Sequence, residues 1–185
     1  MGTTAREYPS DREVLFTRVL DAPRELVWKV WSDVTHLHQW WGPDGFTTTT
    51  HQFEFVPGGV WRFVMHGPDG TDYRTRIVFR EIVEPSRIVY ENSWDLPGAP
   101  LDFTCVTTFD DVESRKTKLA FRMTFADVSA FKTAVERYGV LEGGTQTFER
   151  LNDFVKAMAS QLALTSEIAA TASDPPPTRC ARRDR

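Results

Sequence analysis

Residues 140–164 constrain the fold of this chain more than any other stretch. Leu141, Phe148, Leu151, Val155, Met158 and Leu162 recur there at three- and four-residue steps, which on a helix aligns them as one apolar stripe. Glu142, Glu149, Arg150, Asp153, Lys156 and Gln161 fall mostly on other faces. The pattern predicts an amphipathic helix of about six or seven turns with one side buried. No other helical segment is comparably long, and the middle of the chain alternates with period two. A sheet with one apolar face needs a cover, and this helix is the natural one.

The alternation begins after Phe46. Strands are predicted at about 47–55, 60–66, 72–84, 87–94, 102–111 and 116–125. Pro57-Gly58-Gly59, Gly67-Pro68-Asp69-Gly70, Glu84-Pro85-Ser86, Pro97-Gly98-Ala99-Pro100 and Glu113-Ser114-Arg115 separate them, and each interval is short enough for antiparallel neighbours. Val14, Phe16 and Val19 mark an earlier strand ending near Leu20, which makes seven.

Asp21-Ala22-Pro23 then starts a helix through Leu26, Val27, Val30 and Trp31, with Asp21 or Ala22 as cap and Pro23 in the first turn. Ser32 or Asp33 caps a second short helix reaching Trp40, before Trp41-Gly42-Pro43-Asp44-Gly45 turns the chain. Asp127 or Ser129 caps a third through Phe131, Ala134, Val135 and Tyr138, which Gly139 interrupts. The predicted fold is α+β: a curved seven-stranded antiparallel sheet wrapped around a long C-terminal helix, with two short helices after the first strand. It forms one domain over 11–164, between a flexible N-terminus at 1–10 and a disordered tail at 165–185 that contains Pro175-Pro176-Pro177.

A chain of 185 residues can bury a sizeable core unaided. Its formal charge of −4, with scattered basic residues, offers no stripe for a phosphate backbone, so nucleic acid is not an expected partner. Cys105 and Cys180 lie far apart and make no disulfide framework, which points to a reducing compartment. The start of the chain has no apolar signal region, and no run approaches the ~18 apolar residues of a spanning helix. No membrane insertion is expected, and the cytoplasm is the expected location.

Strand alternation puts Trp61, Phe63 and Met65 on one face, with Tyr73, Thr75, Ile77 and Phe79, with Ile88, Tyr90, Asn92 and Trp94, and with Leu119, Phe121, Met123 and Phe125. Each alone reads as core. Together they read as an apolar concavity, and a bent sheet gripping one helix commonly leaves a gap of the kind that holds a small ligand. The candidate ligand-binding residues are Trp41, Trp61, Phe63, Met65, Tyr73, Tyr90, Trp94, Phe121, Met123, Leu141, Thr145, Phe148 and Asn152. Tyr73, Tyr90, Asn92, Thr145 and Asn152 would supply its polar groups, and Gly143-Gly144 would leave space beside the helix. The mouth is expected between Trp40 to Pro43, the 96–101 loop and the start of the long helix.

His36, His38, His51 and His66 have no ligand spacing for zinc, and no phosphate-loop, dinucleotide or nucleophile-elbow motif occurs, so neither a metal nor a cofactor is expected. Glu54, Glu81 and His66 are the candidates for general acid or base, since burial raises a carboxylate toward neutrality. The simpler reading pairs Glu54 with Arg62 or Arg76, sets Glu81 before a turn and leaves the histidine on the surface.

Trp40-Trp41-Gly42-Pro43, then Pro57-Gly58-Gly59-Val60-Trp61-Arg62-Phe63, Gly67-Pro68-Asp69-Gly70 and Arg80-Glu81-Ile82-Val83-Glu84-Pro85 carry a resemblance, closed by Gly139 to Gly143 and Gln146 to Leu151. In these motifs the chain resembles the homologues of the activator of the Hsp90 ATPase, within the START-like (SRPBCC, Bet v 1-like) helix-grip superfamily, from about Glu13 to Ala159. The resemblance implies the helix-grip fold, a cavity for a hydrophobic ligand or lipid, and the stress-response setting of the family. Val56 stands where an Arg is common, and Gly144 where a large aromatic is common. Both departures would make the pocket roomier and less polar. What the superfamily shares is the cavity, and the sequence carries no sign of the separate N-terminal domain of the eukaryotic co-chaperones, which speaks against an expectation of chaperone activation.

Three functions follow: a binding module for a small apolar or aromatic molecule, a cyclase or hydrolase using the same cavity, or a protein that engages a chaperone. A pH–rate profile would distinguish the second and a chaperone pull-down the third. A homodimer is a further partner option.

Overall fold

The protein is described here from a computed structural model covering residues 3–113 and 115–172. One antiparallel sheet holds eight strands: β1 (Ala5–Glu7), β2 (Glu13–Leu20), β3 (Thr47–Phe53), β4 (Val60–His66), β5 (Asp72–Val83), β6 (Arg87–Trp94), β7 (Leu101–Glu113) and β8 (Lys116–Phe125). Helices α1 (Arg24–Ser32) and α2 (Val34–Trp40) follow β2, and α3 (Val128–Tyr138) and α4 (Val140–Ala172) close the chain. The spatial order is β1-β2-β8-β7-β6-β5-β4-β3. Strands β3 to β8 are therefore a run of hairpins, with β2 returning alongside β8.

The eighth strand corrects the expected seven. Ala5–Glu7 pairs with Leu15 to Thr17 of β2, yet all three residues are exposed. A strand held by its backbone ladder alone leaves no alternation to read. The α1 start also differs: the cap position is Pro23 itself, without a side-chain cap, and its carbonyl accepts from the amides of Leu26 and Val27. At α2 and α3 the caps are Asp33, accepting from the Thr35 amide, and Asp127, accepting from the Ala130 amide. Gly139 ends α3 in the left-handed region, φ 60° and ψ 33°, where its missing Cβ removes the steric penalty.

Helix α4 packs against β2, α1, α2 and α3. Phe148, Leu151 and Val155 are its buried stripe, and Arg18 of β2 is tied to Glu149 at 2.6 Å. Further along, Leu162 and Leu164 are exposed, because the helix continues past the edge of the sheet to Ala172. The tail expected at 165–185 is thus helical as far as Ala172, and the rest of it lies outside the described residues. No helix among the described residues is long and apolar enough to cross a membrane.

The core between sheet and helices is aromatic. Trp31 lies 4.9 Å from Trp40 and edge-on to Trp41, while Trp61 stacks on Phe63 at 4.1 Å. Such tilted and edge-on pairs contribute beyond their buried area.

Candidate functional site

A cavity of about 560 Å³ opens between the concave face of the sheet, the α2–β3 turn and helices α3 and α4. Its size falls within the range of small-molecule sites. Trp41, Phe63, Met65, Tyr73 and Tyr90 line it, as do Trp94, Phe121, Met123 and Phe148. Those on strands share one face by alternation, and the pairings of Met65 with Tyr73, Thr75 with Trp94, Phe79 with Tyr90 and Cys105 with Met123 set the faces of neighbouring strands together.

Four candidates stand apart from its wall. Trp61 is 2% exposed and reaches the cavity only through Trp41 and Phe63; its indole donates to Thr50 Oγ1 at 2.9 Å. On α4 the wall residues are Val140, Gly143, Gly144, Thr147 and Phe148, a face one residue away from Leu141 and Thr145. The Thr145 hydroxyl turns back to the Leu141 carbonyl at 3.0 Å, and the Asn152 amide donates to Asp153 at 3.2 Å.

Two further expectations are corrected. Gly144 does not leave open space, because a Cβ built there would stand 2.6 Å from Cζ of Phe16. The helix has come down onto strand β2 instead. Val56 is exposed in the β3–β4 connection and takes no part in the wall, so neither departure enlarges the cavity.

The acid–base candidates also lie outside the wall. Glu54 is exposed and accepts from Gln52 at 3.0 Å, not from Arg62 or Arg76. Glu81 accepts from Arg87 across the β5–β6 hairpin at 3.0 Å. His66 Nδ1 lies 2.6 Å from Asp72 Oδ1 and its Nε2 2.9 Å from Thr49 Oγ1. No group of three or more His, Cys, Asp or Glu is arranged to hold a metal ion among the described residues.

Several wall residues escape sequence reasoning. Helix α3 supplies Ser129, Ala130, Thr133, Ala134 and Tyr138, with its cap Asp127 at the rim. Strand β7 supplies Asp102 and Phe103, neighbours that strict alternation would send to opposite faces. The register explains them: Asn92 pairs with Phe103 but Ser93 with Leu101, so Asp102 is an extra residue in β7. A bulge of this kind re-aims side chains. Burial pushes the Asp102 carboxyl above the ordinary carboxylate range, and no hydrogen bond or ion pair reaches it from the described residues.

At the closed end, burial pushes the Tyr90 hydroxyl well up, with the Cys105 thiol as its neighbour. Cys105 is itself fully buried and pushed up to about 12 by desolvation. Trp31 Nε1 has no hydrogen-bond partner among the described residues.

The open end is an aromatic row. Phe46 lies 5.8 Å from Tyr73, Tyr73 6.4 Å from Trp94, and Trp94 5.4 Å from Tyr138. Beside it, the turn from Trp41 to Phe46 is held by Arg150 of α4, whose guanidinium donates to the carbonyls of Gly42 at 2.8 Å, Pro43 at 2.7 Å and Phe46 at 3.2 Å. Nothing in the spacing of residues 140–164 identifies Arg150 as more than a solvated charge.

The sequence model of the family described as Activator of Hsp90 ATPase homolog 1-like protein matches residues 21–156. The chain belongs to this family. Solved structures agree with the family fold. A protein from Arthrobacter aurescens is 25% identical with a TM-score of 0.76, over 83% of this chain and 91% of that one. Protein Ms6760 from Mycobacterium smegmatis is 23% identical with a TM-score of 0.76, over 85% and 99%. Protein NE0264 from Nitrosomonas europaea is 21% identical with a TM-score of 0.72, over 83% and 99%. Among curated proteins none matches the chain. The helix-grip architecture of the family is a general ligand-binding fold, and the cavity described above occupies the space between its sheet and helices.

Proposed function

We propose that the protein binds one small apolar or aromatic molecule in the cavity between sheet and helices. The observation that carries this reading is the cavity itself: about 560 Å³, with a wall in which aromatic side chains are the largest class and polar groups the minority. A core built only for stability packs close to crystalline density and leaves few voids larger than a water molecule. This domain keeps a space many times that size beside some of its largest side chains.

Native mass spectrometry of the freshly purified protein, followed by titration with an environment-sensitive hydrophobic dye, tests the reading. The expected result is either a co-purified small molecule or saturable one-to-one uptake of dye. A single apo mass together with no dye uptake would overturn it.

A second reading, contact with a chaperone, rests on the family description alone. Capture of the chaperone by the purified domain, lost when a charged surface patch is substituted, would support it. An enzyme acting in the cavity would have to draw on lining groups such as Asp102, Asp127, Tyr73 or Tyr90, since Glu54, Glu81 and His66 stand elsewhere.

A further inference from the structure

Among the described residues lining the cavity no Lys, Arg or His occurs, whereas two carboxylates, Asp102 and Asp127, do. The cations at its rim are already engaged: Arg150 donates to the carbonyls of Gly42, Pro43 and Phe46, and the Arg137 guanidinium lies 5.6 Å over the Tyr138 ring. A site for a fatty acid, a phosphate ester or an aromatic carboxylate needs cationic or multiple amide donors to offset the cost of desolvating the anion. This wall offers carboxylates, ring faces and neutral hydroxyl, amide and indole groups instead, with no cationic donor among them.

Asp127 is partly engaged, because its Oδ1 accepts from the Ala130 amide at 2.8 Å as the cap of α3. Asp102 differs. It is the extra residue of the β6–β7 bulge, it lines the cavity, and it has no hydrogen-bond or ion-pair partner among the described residues. A half-buried carboxylate without a partner costs free energy in the empty protein, and a ligand that brings a positive charge removes that cost. Nearby, the rings of Tyr73 and Trp94 stack at 6.4 Å, whereas Tyr138 beyond them already carries the Arg137 guanidinium. The negative faces of tyrosine and tryptophan attract ammonium groups, most strongly when water is excluded.

We infer that the ligand is an organic cation, an apolar or aromatic body carrying a protonated amine or quaternary ammonium, with its charge on the Asp102 carboxylate and the Tyr73–Trp94 pair and its body toward Phe121 and Phe148. This rests on the cavity being a binding site, and it adds the sign of the ligand's charge. The bulge gains a function on this reading: without the extra residue, strict alternation would send either Asp102 or Phe103 to the outer face.

Three probes of one skeleton separate the alternatives: 2-naphthylmethylammonium, 2-naphthylmethanol and 2-naphthoate, titrated calorimetrically into the full chain and into Asp102→Asn. The variant is near-isosteric, and its fold is checked by circular dichroism. The ammonium probe should bind at least tenfold more tightly than the carboxylate, with the alcohol between them. In Asp102→Asn the ammonium should fall to within about twofold of the alcohol measured in the same variant. If the carboxylate binds as tightly as the ammonium, or if the variant keeps the full preference, the charge assignment is overturned while the cavity remains a binding site. If none of the three binds and the dye is also refused, the binding reading itself fails.

Discussion

Gly144 of α4 rests directly on the ring of Phe16 of β2: a Cβ built at Gly144 would stand 2.6 Å from the ring's Cζ and 3.0 Å from Cε1. Phe16 is fully buried and also packs on Phe148 at 5.7 Å and Phe121 at 6.5 Å, so its ring has nowhere to retreat. In an exposed helix, Gly→Ala gains about 1 kcal/mol. Here the overlap should reverse the sign, and Gly144→Ala should lose about 1–3 kcal/mol in urea unfolding, as overpacked sites do. Phe16→Leu introduced alongside it should return part of that loss, because the two sites are coupled. A stabilised single variant would mean that the helix can lift off β2 freely.

Phe148 is 3% exposed and contacts the rings of Phe16 and Phe121, the latter at 5.2 Å. Phe148→Ala should cost about 3–5 kcal/mol, the range for removing a buried aromatic side chain. Because one side of Phe148 faces the cavity, the void it leaves joins space that already exists. The measured value should therefore sit toward the lower end, and a loss below ~1 kcal/mol would contradict the clamp between α4 and the sheet.

Arg150 supports the rim through both ends of its guanidinium: Nη1 reaches the carbonyls of Gly42, Pro43 and Phe46, while Nη2 donates to the Gln39 carbonyl at 3.4 Å. Lysine keeps the charge but has a single donor nitrogen, so it cannot serve the turn and the Gln39 carbonyl at once. Arg150→Lys should leave the global midpoint within a few degrees of the parent and speed amide hydrogen exchange selectively over residues 41–46, since the turn opens locally without unfolding the sheet. Uniform acceleration across the whole domain would show that Arg150 serves general stability instead.

Much of this architecture is legible in the sequence, and the exceptions have physical causes. The limits of β2, β4 and β6 follow from alternation beside Pro- or Gly-bearing segments, and those of β8 from its alternation alone, since residues 113–115 carry neither. Strand β1 has no buried face, so hydrophobicity carries no trace of it. At the start of α4, Gly143 and Gly144 supply no apolar marker, which is why Leu141 and Thr145 looked like wall residues when Val140 and Thr147 hold those places. Helix α3 meets the cavity through the small Ala130 and Ala134, weak signals beside the tryptophans. Asp102 is the hardest to foresee: its place depends on a bulge, and a bulge is a property of two strands in register that neither strand displays alone.

Cys105 sits at 0% exposure with its thiol pushed up to about 12. At about pH 8 the thiolate fraction would be about one part in ten thousand, and the thiolate is the reactive form. Peptide mapping after maleimide treatment of the native protein should find Cys105 unmodified, and labelled once urea is added. Native-state labelling at Cys105 would show that this end of the cavity opens on the time scale of the reagent.

Asp102 makes a stability prediction whose sign follows from linkage. Burial raises its carboxyl above the ordinary value of about 3.9, so the folded protein holds this proton more tightly than the unfolded chain does. Between the ordinary value and the raised one, the folded state is protonated and the unfolded state is not; stability therefore falls as pH rises through that window. Above it, the cost of the buried charge is fully present, and below it the cost is gone. Asn cannot ionise, so Asp102→Asn should melt at a higher temperature than the parent at about pH 7, with the gap narrowing as pH falls toward about 4. Saturating 2-naphthylmethylammonium should narrow the same gap at neutral pH by raising the parent more than the variant. A gap that stays constant from about pH 4 to about pH 7 would mean that the Asn side chain stabilises by packing or hydrogen bonding, and that the Asp102 carboxylate is not a cost waiting for a cation.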